Sequence, residues 1–96
     1  MSAPCPIFGF LVELEVEDAL TRDELDELWR GFMTFVEERG LVADGGTGHS
    51  MWTYMIHSQA SQATEADRVA LKAWIGSHHE ILTAQVGAII DLQGAA

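Results

Sequence analysis

A single cysteine, Cys5, stands in this chain of 96 residues, so no intrachain disulfide can form and thiolate zinc sites are excluded. It lies between Pro4 and Pro6 with no base near it in sequence, and reads as an incidental thiol. Basic residues are scarce too. Five Lys and Arg face fifteen Asp and Glu, a formal charge of −10. Nucleic-acid binding draws most of its affinity from Lys and Arg neutralising phosphates, so no direct nucleic-acid binding is expected. Anionic membrane surfaces are disfavoured for the same reason. The N-terminus lacks the basic and apolar regions of a signal peptide. No apolar run approaches the roughly 18 residues that span a bilayer. A soluble cytoplasmic protein is expected.

Apolar side chains are not lacking. They make up 48% of the chain and aromatics 8%, so disorder by composition is excluded. The length suits one domain that buries roughly 60–65% of its unfolded surface. Residues 7–92 are read as that domain, with 1–6 a flexible N-terminus and 93–96 a C-terminal tail.

Phe8, Phe10, Val12, Leu14 and Val16 alternate with Gly9, Leu11, Glu13, Glu15 and Glu17. Period two predicts a half-buried strand with the first set facing the core. The first helix is the best-signalled element. Thr21 and Glu24 have capping-box spacing, Leu20 and Leu25 can staple across that cap, and Asp23 and Glu24 suit the positive end of the helix dipole. Leu25, Leu28, Trp29, Phe32, Phe35 and Val36 form its apolar stripe, and Gly40 is placed to end it. The helix is predicted over 22–39, with Trp29 and Phe32 between helix and sheet. A short strand, Leu41-Val42-Ala43, follows, and Asp44 to Gly48 reads as a turn.

Met51 to His57 predicts a central strand, with Trp52, Tyr54 and Ile56 on one face and Met51, Thr53, Met55 and His57 on the other. Ser58 to Ala63 is a polar loop. A second helix is predicted over 65–76, capped by Thr64 and Asp67, with Ala66, Val69, Ala70, Ala73 and Trp74 on one face. Ile81 to Leu92 supplies the last strand, bent at Gly87. The order βαββαβ predicts an α+β fold: a ferredoxin-like two-layer sandwich, a four-stranded antiparallel sheet with both helices on one face. The alternative is a looser α+β arrangement in which the last strand splits in two.

No residue set spells out a reaction. Glu13, Glu15 and Glu17 point in parallel from one strand, which favours a solvated face over a metal site. His78, His79 and Glu80 are adjacent, point in different directions, and read as a turn. His49 and His57 flank a strand and would need a third element to share an ion. Gly45-Gly46-Thr47-Gly48 lacks the lysine and following helix of a phosphate loop. Trp29, Trp52 and Trp74 sit at core-compatible positions. No catalytic residue, cofactor or metal is expected.

Several short runs fall in an order that resembles the YggL family of small bacterial proteins. They are Phe8-Gly9-Phe10, Val36-Glu37-Glu38-Arg39-Gly40-Leu41, Asp44-Gly45-Gly46, Thr64-Glu65-Ala66-Asp67-Arg68 leading to Trp74-Ile75, and Val86-Gly87-Ala88-Ile89-Ile90-Asp91. The resemblance covers most of residues 7 to 92. It implies association with the large ribosomal subunit rather than catalysis, and no motif of the family carries a catalytic residue onto this chain. The better-known members have an Arg/Lys-rich N-terminal arm, whereas this chain has no base before Arg22; they usually have Trp or Tyr after the final Asp, whereas Leu92 and Gln93 follow Asp91 here.

The expected function is that of a non-enzymatic binding protein, associated with the large ribosomal subunit through ribosomal proteins. One alternative is a homodimer or larger homo-oligomer that pairs through its open sheet face. The other is a small-ligand or metal binder near the histidines. The expected partner face carries Leu11, Glu13, Glu15, Met51, Met55 and His57: an apolar half beside an acidic half that repels phosphate.

Overall fold

The computed structural model describes residues 7–48, 50–58 and 62–92. The expectations for Cys5, His49, the first six residues, positions 59–61 of the polar loop and the tail from 93 lie outside them. Strand β1 runs Phe8–Val16, helix α1 Arg22–Glu38, β2 Leu41–Thr47, β3 Met51–Ser58, helix α2 Glu65–Gly76, β4 Ile81–Val86 and β5 Ile90–Asp91. The fold is α+β, with an antiparallel sheet in the order β2-β3-β1-β4 and β5 paired to the start of β1. The two strands expected to be central, β1 and β3, are the central pair.

Strand β1 alternates as its sequence requires. Phe10, Val12, Leu14 and Val16 are buried, while Leu11, Glu13 and Glu15 are partly exposed on the other face. Trp52, Tyr54 and Ile56 of β3 join the buried face. Both helices cover that face. Leu28, Phe32 and Val36 of α1 and Leu71 and Ile75 of α2 enter one core cluster with the strand residues. Phe32 is fully enclosed, with its ring 6.1 Å from Trp52, 5.4 Å from Tyr54 and 5.8 Å from Trp74. Trp52 is buried as well, with no protein partner for its indole N–H among the described residues.

Both helices start at reciprocal capping boxes. The Glu24 amide donates to Thr21 Oγ1 at 3.2 Å and the Thr21 amide to Glu24 Oε1 at 2.9 Å. The Asp67 amide donates to Thr64 Oγ1 at 3.2 Å and the Thr64 amide to Asp67 Oδ2 at 2.9 Å. Each satisfies two amides that the first helical turn leaves unpaired. Glu24 is held below the ordinary carboxylate range, chiefly by the Thr21 amide and then by the Thr21 hydroxyl. At the far end of α1, Gly40 takes φ of 71°, the left-handed conformation that only glycine adopts without cost.

The structure corrects four of these expectations. Trp29 is not in the core. It is 40% exposed, and its Nε1–H donates to the Tyr54 hydroxyl at 3.0 Å. Successive residues of an α-helix turn by about 100°, so Trp29 lies at the rim of the stripe centred on Phe32 and presents an edge to water. The buried face of α2 is set by Leu71 and Ile75 rather than by Ala66, Val69 and Ala73, which are exposed. Two large apolar side chains at i and i+4 outweigh several alanines.

Strand β2 is longer than its glycines suggested. Asp44 to Thr47 belong to it, and Asp44 pairs with Met55, Gly45 with Tyr54 and Gly46 with Thr53. At Gly45 a Cβ would collide with the Thr53 carbonyl oxygen, so glycine serves a close strand approach there instead of a turn. The last strand is split. β4 ends at Val86 and β5 begins at Ile90, the alternative left open by the sequence. The break is pinned from both sides. The Gly87 amide donates to the Leu11 carbonyl at 2.7 Å, and Arg68 donates to the carbonyls of Gly87 at 2.7 Å and Val86 at 3.1 Å. The sheet therefore carries a short fifth strand beyond the four expected.

Candidate protein-docking face

With both helices on one side, the other side of the sheet is left uncovered by either of them. Its composition follows from register. Directly opposed residues in an antiparallel pair share a face. Gly9, Leu11, Glu13 and Glu15 of β1 oppose His57, Met55, Thr53 and Met51 of β3. Val42 and Asp44 of β2 oppose His57 and Met55, and Gln85 and Thr83 of β4 oppose Glu13 and Glu15. All six residues expected on the partner face are thus brought onto one surface. Leu11 and Met55 are a cross-strand pair at its middle and are half-buried; Met51 is 51% exposed at one end.

The polar groups on this face are few and mostly acidic. Glu13 and Glu15 follow each other down β1, and the Thr83 hydroxyl donates to Glu15 Oε1 at 3.3 Å. Glu17 lies past the end of β1, where its amide donates to the Glu80 carbonyl at 2.8 Å, so the expected row of three glutamates is a row of two. His57 Nε2 lies 2.5 Å from Asp44 Oδ2. An ionised carboxylate only accepts, so the imidazole donates from that nitrogen. Neither strand β1, β2, β3, β4 nor β5 contains a Lys or Arg. At the end near β5 the face closes down. A Cβ on Gly9 would strike the Ile56 carbonyl oxygen and stand 3.0 Å from Leu92 Cδ1.

Val42, Asp44, Thr83 and Gln85 were missed as members of this face. Reading Asp44 to Gly48 as a turn removed Asp44 from the sheet. The partner of β4 is a long-range choice that local pattern does not reveal. The usable signal was the length of β3: a strand of eight residues needs a hairpin partner of similar length, longer than Leu41 to Ala43.

The other histidines do not join this surface. His78 stacks on Trp74 with ring centroids 4.0 Å apart, and its Nδ1 lies 2.7 Å from the Trp74 carbonyl oxygen. A carbonyl only accepts, so Nδ1 donates, and His78 acts as a cap on the last turn of α2. His79 projects into solvent beside Glu80 at 3.4 Å. Among the described residues no three His, Cys, Asp or Glu side chains are grouped to hold a metal ion. No described helix is long and apolar enough to cross a membrane.

Residues 5–93 match the model of the family described as YggL 50S ribosome-binding protein, and the chain belongs to that family. No curated protein matches it.

Proposed function

We propose that this protein is a non-enzymatic, cytoplasmic partner of the large ribosomal subunit that docks through the open sheet face onto basic ribosomal proteins. The family's description as 50S ribosome-binding supports the subunit. The observation that carries the docking mode is the face itself: Leu11, Met55 and Met51 form an apolar patch, bordered by Glu13, Glu15 and Asp44 and free of Lys and Arg. Basic protein surfaces complement it, and phosphate is repelled by it. We also read the order β4-β1-β3-β2, with the two helices on one side, as that of a ferredoxin-like sandwich. RNA readers built on such sheets expose aromatics ringed by bases on the central strands. Here the central strands expose Leu, Met, Thr, Glu and one ring, His57, which is engaged by Asp44.

Co-sedimentation tests this directly. The protein should pellet with purified large subunits, weaken with added salt because the contact is between opposite charges, and show no affinity for naked ribosomal RNA at physiological salt. Micromolar or tighter binding to naked RNA would refute the docking mode. Binding to neither, with dimers in solution that Leu11→Glu disperses, would replace it with self-association through the same face.

A further inference from the structure

We infer that the outer edge of β4 accepts an extended segment of the partner as an added strand, one that alternates basic and apolar residues. The inference rests on the reading above that the partner is a basic protein. It concerns a different part of the sheet, the edge rather than the face.

Strand β4 is the last in the order β2-β3-β1-β4. Ile81 to Val86 contains no charge and no proline, and Leu82 to Gln85 are exposed. Exposed edges are commonly protected by charged side chains or proline, because unpaired N–H and C=O groups invite another strand. The opposite edge, β2, carries Asp44 and two glycines, which disfavour pairing. A neutral edge is the exception on a chain of charge −10.

The backbone directions are set by the ladder. Gly87 donates to the Leu11 carbonyl, so the opposed pair Val12 and Val86 is one whose own amides point away from each other. Alternation then turns Glu13 and Gln85 toward each other, and turns both backbone groups of Ala84 outward. The Val86 amide also points outward, while its carbonyl is taken by Arg68. A strand laid beside β4 would meet Ala84 first.

The two sides of that strand would meet different surroundings. Ala84 and Val86 lie on the helix side, opposite Leu14 and Val12. There a cleft of about 240 Å³ opens between α2 and β4, lined by Lys72, Ile75, Gly76, Ala84 and Val86. It suits apolar side chains and gives a base no acidic partner. On the open side, Thr83 and Gln85 stand beside Glu15 and Glu13. Two strand spacings, about 10 Å, separate an added strand from those carboxylates. That gap exceeds the Debye length of about 8 Å at physiological salt, but long basic side chains can close it. Strand addition of this kind takes its affinity from main-chain bonds and its specificity from alternate side chains.

The test uses the full chain and a synthetic peptide of alternating Arg and Val, with a peptide of the same composition in two blocks as control. The alternating peptide should bind, slow hydrogen exchange of the Ala84 amide, and bind at least tenfold more tightly than the block peptide. Ala84→Pro removes only an outward amide and should weaken binding tenfold or more while the β1–β4 ladder stays protected. Thr83→Lys with Gln85→Lys should weaken it similarly by repulsion. Equal binding of the two peptides, or no change in Ala84 exchange, would overturn the inference whether or not the proline variant folds. Sedimentation with large subunits separates the two readings. Wild-type binding of subunits by a folded Ala84→Pro variant would overturn strand addition and leave the docking face standing. Peptide binding at β4 without any subunit binding would support the edge and sink the ribosomal role.

Discussion

Replacing Phe32 with Ala probes the structure where it is most densely committed. Its ring has no exposed surface and lies within aromatic contact distance of Trp52, Tyr54 and Trp74. Loss of a buried Phe side chain costs roughly 3–5 kcal/mol, transfer and cavity together. Aromatic pairs contribute about 0.5–1.5 kcal/mol each beyond area. Three such pairs, contributed by β3 and α2, place this site near the upper end, because both elements must shift together to fill the void. A chain of this length is stabilised by roughly 5–14 kcal/mol in all. The variant should therefore lose a third or more of its stability and stay folded only in mild conditions. Urea unfolding followed by tryptophan fluorescence and far-UV dichroism measures it, and an unchanged denaturant slope would show that the loss lies in the native state. A loss below about 1 kcal/mol would mean that Phe32 does not bridge α1, α2 and β3, and the packing described above would be wrong.

Trp29→Phe, one position along the rim of the same helix, should cost only about 0.5–1.5 kcal/mol in the same assay, the value of one hydrogen bond to Tyr54. Thr21→Ala should cost about 1 kcal/mol by opening the first capping box. Glu24 in that box has its folded pKa lowered, so its contribution is present above its unfolded pKa and lost as pH falls through the folded value. Glu24→Gln should accordingly flatten the acid side of the stability profile, and an unchanged profile would contradict the capping geometry. Arg68→Ala should speed hydrogen exchange from Gly87 to Ile90, since it frees the two carbonyls that hold the break between β4 and β5; unchanged exchange there would mean that the Leu11 contact alone holds it.

What was legible in the sequence is what depends on neighbours close along the chain. The capping boxes at Thr21 and Thr64 need three residues of spacing, and the alternation of β1 needs nine; both elements form where the pattern puts them. Errors arose where a distant segment decides. Gly45 and Gly46 have the composition of a turn, and only the approach of Thr53 makes them strand. Trp29 has helical spacing with the core residues but lies off the centre of their stripe, and the partner of its indole N–H there is the distant Tyr54 hydroxyl. In α2 the face expected from three alanines, Val69 and Trp74 is right only at its Trp74 edge; alanines have too little area to fix the phase, which Leu71 and Ile75 set. The open sheet face was legible on β1 and β3 because alternation alone fixes it. Its β2 and β4 margins depend on pairings between segments far apart in sequence.

The distribution of the five basic residues accounts for how an acidic domain can present a surface of one sign. All lie on or at the ends of helices: Arg22 and Arg30 on α1, Arg39 at its C-cap, Arg68 and Lys72 on α2. Two of them join structural elements. Arg39 pairs with Asp67 at 3.0 Å and so ties the end of α1 to the start of α2, and Arg68 pairs with Glu65 at 3.0 Å while binding the carbonyls of the β4–β5 break. Exposed pairs of this kind add little stability singly, but they fix where the positive charge sits. It sits in the helix layer. The sheet layer keeps Glu13, Glu15 and Asp44, with His57 already engaged by Asp44. The two sides of the domain therefore differ, and only the sheet side combines exposed Met51 and half-buried Leu11 and Met55 with an acidic border free of Lys and Arg. The helices also carry acids, six on α1 and two on α2, so both layers are net acidic; what sets the sheet side apart is that its strands hold no base to meet a phosphate and that its acids border an apolar patch.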